Sequence, residues 1–279
     1  MSSPDHSNEL VLFFLGDSDM ARWPSNQLPS ISNIISLKHH NFKQVNHNHS
    51  KNGALLQDVP SQVQKALEDY QSVRPHGNAE KCSSSSSNVF FIVCAGENDI
   101  SNGLSIDNVM TSFNGLIDSI FSNESSRCFE RRPHLIFLGP KLEPWLVDDK
   151  SSRKSYFQLS ERMISQSCQR LPTSTKVNLL DTDNVNNHSC DDSVDDGKHI
   201  SYINCLTMFC GESAKMQGAV LAGRAKAEMK YFNDDGLHLN EEGYKVWKEE
   251  LQNVLSRILC TERCVESLDM SQYGGTKYL

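Results

Sequence analysis

Leu10-Val11-Leu12-Phe13-Phe14-Leu15 runs straight into Gly16-Asp17-Ser18 (LVLFFLGDS, residues 10–18), and this stretch decides how the chain is read. Six consecutive apolar residues have the length of a strand but none of the alternation of a half-solvated one, so both faces must be covered. A glycine, an acid and a serine at the exit of a buried strand place a hydroxyl at the strand's carboxyl end. The pattern recurs. Residues 89–95 (VFFIVCA) end at Gly96-Glu97-Asn98-Asp99, and residues 134–138 (HLIFL) end at Gly139-Pro140. Weaker strands are expected at residues 42–46 and 176–181.

Helical patterns separate these runs. Residues 30–38 have helical character. Residues 54–70 carry a stripe of Leu55, Leu56, Val59, Val63, Ala66, Leu67 and Tyr70, with Pro60 near its start. Asp107 is expected to cap a helix to Phe121, and residues 155–171 form another. Asn240 caps a last helix with Tyr244, Trp247, Leu251, Val254, Leu255 and Ile258 on one face. Strands alternating with helices predict an α/β fold, a three-layer flavodoxin-like sandwich with about five parallel strands. The chain reads as one domain over 1–279. Its core spans residues 9–181 and 233–260, an insertion 182–232 and a tail 261–279. Within the insertion, residues 213–232 have helical potential. The serine run from Ser83 to Ser87 reads as a surface loop.

Composition narrows the function. A formal charge of −8 with no basic stripe argues against nucleic-acid binding, and no apolar segment has the length to cross a bilayer. Nine cysteines without a paired framework, behind an N-terminus lacking a positive region, suggest reduced thiols and a cytoplasmic location. The sequons at Asn48, Asn123 and Asn187 are then incidental. The sequence leaves oligomeric state open.

Near the C-terminus stands Asp235-Gly236-Leu237-His238. An acid and a histidine three residues apart can share a loop, the imidazole facing a serine and the carboxylate behind it. With Ser18 and the Asn98 amide this supplies a nucleophile, a base, an orienting acid and a hydrogen-bond donor, the inventory of acyl transfer. No Gly-x-Ser-x-Gly elbow exists. Taken singly, Ser18 reads as a helix cap, Asp235 as a turn residue, His238 as a core histidine and Asn98 as an Asx turn. Their ordered coincidence at strand ends favours chemistry.

These four blocks, Gly16-Asp17-Ser18, a glycine after the second strand, Gly96-Glu97-Asn98-Asp99 and Asp235-x-x-His238, resemble the SGNH hydrolases, also called GDSL-type esterases. The resemblance covers the chain apart from the serine loop, the insertion and the tail. It implies Ser18 as nucleophile, His238 as general base and Asp235 as the residue orienting it. The oxyanion hole it implies is Ser18 N–H, Gly53 N–H and the Asn98 side chain, with no metal or cofactor. The implied substrate is a small carboxylic ester, acetyl or short-chain. Acyl transfer, lysophospholipase activity and a non-catalytic binding module are the alternatives. Gly53 is the loosest match, and Asp19 puts a carboxylate next to the nucleophile, near the expected mouth of the site. Of Asp234 and Asp235 only the latter has the required offset.

Other features have plainer readings. His39, His40, His47 and His49 cluster around the second strand, where a hydrated polar loop explains them more simply than a metal. Cys260 and Cys264 lie one turn apart and read as incidental thiols. Trp145 either walls an acyl pocket or packs on a helix, and the acidic residues of 181–196 read as a solvated loop. The insertion before Asp235 is expected to act as a flap.

Overall fold

A computed structural model describes residues 8–30, 42–72, 87–122, 128–129, 131–169, 199–214 and 218–272. Five strands form one parallel sheet in the order β2-β1-β3-β4-β5. They are β1 (Asn8–Gly16), β2 (Phe42–Asn48), β3 (Ser87–Cys94), β4 (His134–Leu138) and β5 (His199–Ile203). The helices are α1 (Ser18–Arg22), α2 (Val59–Ser72), α3 (Glu97–Ser101), α4 (Ile106–Phe121), α5 (Lys150–Gln169) and α6 (Glu241–Gln272). The order is the flavodoxin-like one, and it puts the ends of β1 and β3 side by side in the middle of the sheet.

The apolar runs explain the three layers. Alternate residues of a strand face opposite sides. Val11, Phe13 and Leu15 of β1 and Phe91 and Val93 of β3 therefore pack under α2 and α4, with Val63, Tyr70, Phe113 and Ile117. Leu10, Leu12, Phe14, Phe90 and Ile92 face the other way, onto Trp247, Leu251, Val254 and Leu255 of α6. A third, smaller core of Leu142, Leu146, Tyr156, Leu206, Cys210 and Val220 packs the loops after β4 and β5.

The structure revises several boundaries. The fifth described strand is His199–Ile203, inside the residues read as an insertion, while the expected strand at 176–181 lies outside the described residues. Residues 213–232 form short turns instead of a helix where described, with 3-10 turns at Gly211–Ala214 and Met229–Tyr231. Ser105, not Asp107, caps α4, because its hydroxyl accepts from Asn108 N–H while Asp107 lies in the first turn. Pro60 sits in the first turn of α2, where its missing N–H costs nothing. Asn240 does cap α6, its Oδ1 accepting from Glu242 and Gly243 N–H, and α6 extends to Gln272, into the expected tail. The expected helix at 30–38 beyond Ser30, the serine run before Ser87 and all of the acidic stretch 181–196 fall outside the described residues.

Candidate active site

The β1–α1 junction is built around Gly16, which has φ +128°. A Cβ there would lie 1.8 Å from the Cys94 carbonyl oxygen, so only glycine lets the turn pack against β3. Asp17 N–H then donates to that same carbonyl at 3.0 Å. The Asp17 side chain caps α1 by accepting from Asp19 N–H, and Ser18 begins the helix, partly exposed.

The other half comes from residues 232–240. An antiparallel bridge between Phe232 and Leu239 closes a tight loop, inside which Asn233 N–H donates to His238 O. Gly236 turns the chain with φ +63°. His238 Nε2 stands 3.1 Å from Ser18 Oγ, although 220 residues separate the two in sequence. On the other edge of the ring, Nδ1 is 2.7 Å from Asp235 Oδ2. Asp235 Oδ1 accepts from the N–H groups of Leu237 and His238 at 2.9 and 3.0 Å. The His238 hydrogen bond holds the Asp235 pKa far below the usual carboxylate range, with the two N–H donors adding to the effect. Asp234 stays exposed beside this arrangement.

Two further loops close on the serine. Lys51 N–H donates to Gly16 O, and Ala54 N–H donates to Lys51 O. This forms a turn in which Gly53 takes φ +72°, a conformation suited to glycine, with open space where a Cβ would be. The β3–α3 loop reaches the same segment twice. Asn98 Nδ2 donates to Ala54 O at 3.1 Å, and buried Asp99 accepts from Leu56 N–H at 2.9 Å. Gly53 and Asn98 are thus tied to one another, and the Gly53 turn is tied to the strand end that carries Ser18.

Beneath these loops lies a charge cluster with no counterpart in the sequence reading. Lys141 Nζ, fully buried, contacts Asp19 Oδ2 at 2.7 Å, Glu97 Oε2 at 2.7 Å and Glu143 Oε1 at 3.1 Å. Asp19 therefore points inward, not to the mouth of the site. Its second oxygen accepts from Leu239 N–H. Burial raises the Asp17 pKa strongly, and the charges of Glu97 and Asp19 push it the same way. Burial also drives Glu143 up to about 8. Lys141 goes up as well, because its three carboxylates outweigh the desolvation that opposes its charge. Glu143 also accepts from the indole N–H of Trp145, which is 45% exposed. In the sequence Lys141 shows only as a lysine two residues from Glu143 in the turn after a buried strand, with Asp19 and Glu97 far away along the chain.

No family model matches the chain, and no curated protein does. Among solved structures, a lipase, Lip_vut3, from a goat rumen metagenome aligns with TM-score 0.52 over 88% of this chain and 97% of its own at 11% identity. A member of the lipolytic protein G-D-S-L family from Veillonella parvula aligns with TM-score 0.50 over 90% and 100% at 14% identity. The chain shares with these two structures its fold, a five-stranded parallel sheet between layers of helices. In open α/β sheets ligands bind outside the carboxyl ends of the strands, and Ser18, the Gly53 turn, Asn98 and His238 are gathered at those ends. Of the histidines, His47 lies near the end of the edge strand β2 and His49 just beyond it, both facing Asp69 of α2, while His39 and His40 are outside the described residues. Five cysteines, Cys94, Cys128, Cys205, Cys210 and Cys260, are free among the described residues. No helix among them is long and apolar enough to cross a membrane.

Proposed function

We propose that this chain is a serine esterase that hydrolyses small carboxylic esters through an acyl-enzyme intermediate. One observation carries the reading: the continuous line Asp235 Oδ2, His238, Ser18 Oγ, with links of 2.7 and 3.1 Å. A serine hydroxyl is a poor nucleophile until an adjacent base takes its proton. An imidazole serves only if its tautomer leaves Nε2 bare. Asp235, ionised and aimed at Nδ1, fixes that tautomer.

In the proposed cycle Ser18 Oγ attacks the ester carbonyl while its proton passes to His238 Nε2. The oxyanion is met by Ser18 N–H, Gly53 N–H and the second N–H of Asn98 Nδ2, whose first is engaged by Ala54. Collapse of the intermediate breaks the C–O bond, and His238 returns the proton to the departing alcohol. Water then enters, gives its proton to His238 and attacks the acyl-enzyme, and as the acyl–Oγ bond breaks His238 returns that proton to Ser18, freeing the acid. The residues need no metal or cofactor for any of these steps. The names of the two structures of like fold, a lipase and a lipolytic protein, agree with ester chemistry. Exposed Trp145, Met229 and Leu237 support a small apolar acyl or alkyl group. A Cβ at Gly236 would lie 3.7 Å from both Met229 and Pro144, so all three belong to one rim around the His238 loop.

The test is a fluorophosphonate probe followed by turnover on p-nitrophenyl esters of graded chain length. Labelling that Ser18→Ala abolishes, with turnover of the short esters, supports the reading. Absence of labelling on folded protein overturns it. Labelling without turnover of any ester in water, but with acyl transfer to added alcohols, replaces hydrolysis by acyl transfer.

A further inference from the structure

His47 lies in β2 and His49 directly follows its last residue, its N–H still donating to Phe14 O of β1, and both rings lie against Phe13 on the same face of the sheet. That face is covered by α2, which supplies Asp69. One ligand atom from each of the three residues lies within 4.8 Å of the other two. His49 is the decisive member. Its side chain is only 7% exposed, and its Nε2 makes no hydrogen bond, yet it faces Asp69 Oδ2 at 3.3 Å. Bond lengths of about 2.0–2.1 Å in a four-coordinate zinc site put ligand atoms roughly 3.3 Å apart, so this pair already has the spacing of two ligands of one ion.

We propose that His47, His49 and Asp69 form a binding site for a zinc-like divalent cation that ties the edge strand β2 to α2, with water completing the coordination. Two features of the surroundings fit. The His47 ring stacks on Phe13 with centroids 5.1 Å apart and 25° between planes, which holds its orientation. Asp69 keeps 46% of its side chain in solvent, leaving the ion a way in. Two imidazoles and one carboxylate are a borderline-soft donor set, suited to zinc rather than magnesium or calcium. Lys65 adds positive charge near His49 and works against the ion, so affinity below that of a fully anionic site is expected.

The site uses none of the residues of the proposed esterase and does not rest on that reading. The test uses full-length, tag-free protein stripped with a chelator and titrated with zinc by calorimetry, with cobalt absorption as a second readout. The expected result is one equivalent bound with Kd of about 10 µM or tighter. Melting should rise by about 5 °C or more at hundredfold excess over Kd. His47→Ala and Asp69→Asn, both at partly exposed positions, should each weaken binding about tenfold or more. No binding at one hundred times that Kd overturns the proposal. So does equal binding by both variants, or a cobalt spectrum with thiolate charge-transfer bands, since a cysteine site would then hold the ion. Fluorophosphonate labelling of Ser18 is read in the same samples, so a failed metal site and a failed esterase are told apart.

Discussion

Asp19 accepts a hydrogen bond from the backbone N–H of Leu239 at 3.0 Å. The residue after the proposed nucleophile therefore holds the residue after the proposed base. Tyr244 repeats the tie one turn into α6, its hydroxyl donating to Asp19 O at 2.8 Å. The other Asp19 oxygen rests on Lys141, which also grips Glu97 of the Asn98 loop. One buried ammonium thus links the strand ends that carry Ser18, Asn98 and the Trp145 turn. The 3.1 Å approach of Ser18 and His238 is a consequence of this framework rather than of the two side chains alone.

Removing a carboxylate from that framework should therefore affect both folding and turnover. Asp19→Ala leaves the Leu239 N–H and one face of Lys141 without their partner. Breaking a buried pair costs about 3–5 kcal/mol, and urea unfolding should show a loss of that order. Asp19→Asn keeps an acceptor for Leu239 and should recover part of it. If Asp19→Ala unfolds at the wild-type midpoint, the clamp contributes nothing.

Asp235→Asn tests the orienting role. An amide in place of the carboxylate accepts less well and can lock the imidazole in the wrong tautomer. A loss in kcat of up to about 10⁴-fold is expected, as for buried triad acids elsewhere, with little change in unfolding midpoint because Asp235 is 45% exposed. Ester hydrolysis and denaturation on the same sample decide it; a fall of less than tenfold would remove Asp235 from the mechanism.

Activity should be lost at acid pH and retained at neutral and higher pH, since only neutral imidazole accepts the Ser18 proton. Asp235 adds no second step, because its lowered pKa keeps it ionised throughout that range. For stability the sign is that of a depressed acid. Its contribution is present above the unfolded carboxylate range and is lost only as pH falls through the folded value. A kcat/KM profile with two acid-limb titrations would contradict this.

Much of this architecture is legible in the letters. The apolar runs at β1, β3 and β4 have no polar interruption, and burial on both faces is the only arrangement that suits them. The α6 stripe from Tyr244 to Ile258 follows the helical period and is buried throughout. The Asp235-x-x-His238 spacing suffices to bring the two side chains together. β5 was missed because His199-Ile200-Ser201-Tyr202-Ile203 alternates polar and apolar at the sheet edge, with little to distinguish it from the turns that follow. Lys141 was missed for a different reason. A lone lysine next to a proline reads as surface, and its three acids lie 122, 44 and 2 residues away, a convergence that only the parallel sheet creates.

Glu143 supplies the last prediction. Its pKa of about 8 in the fold, against an ordinary 4.5, means that the folded protein holds a proton there which the unfolded chain releases. Between those values the native state binds more protons than the unfolded one, so stability falls as pH rises and levels off above about 8. The cause is desolvation, reinforced by the Glu97 charge, and only partly offset by Lys141. Glu143→Gln keeps a carbonyl for Lys141 while removing the ionisation. Its unfolding free energy should therefore change less between pH 5 and 8 than that of the unsubstituted chain. Equal pH slopes for the two proteins would mean that Glu143 is ionised in the fold, with Lys141 neutralising it fully.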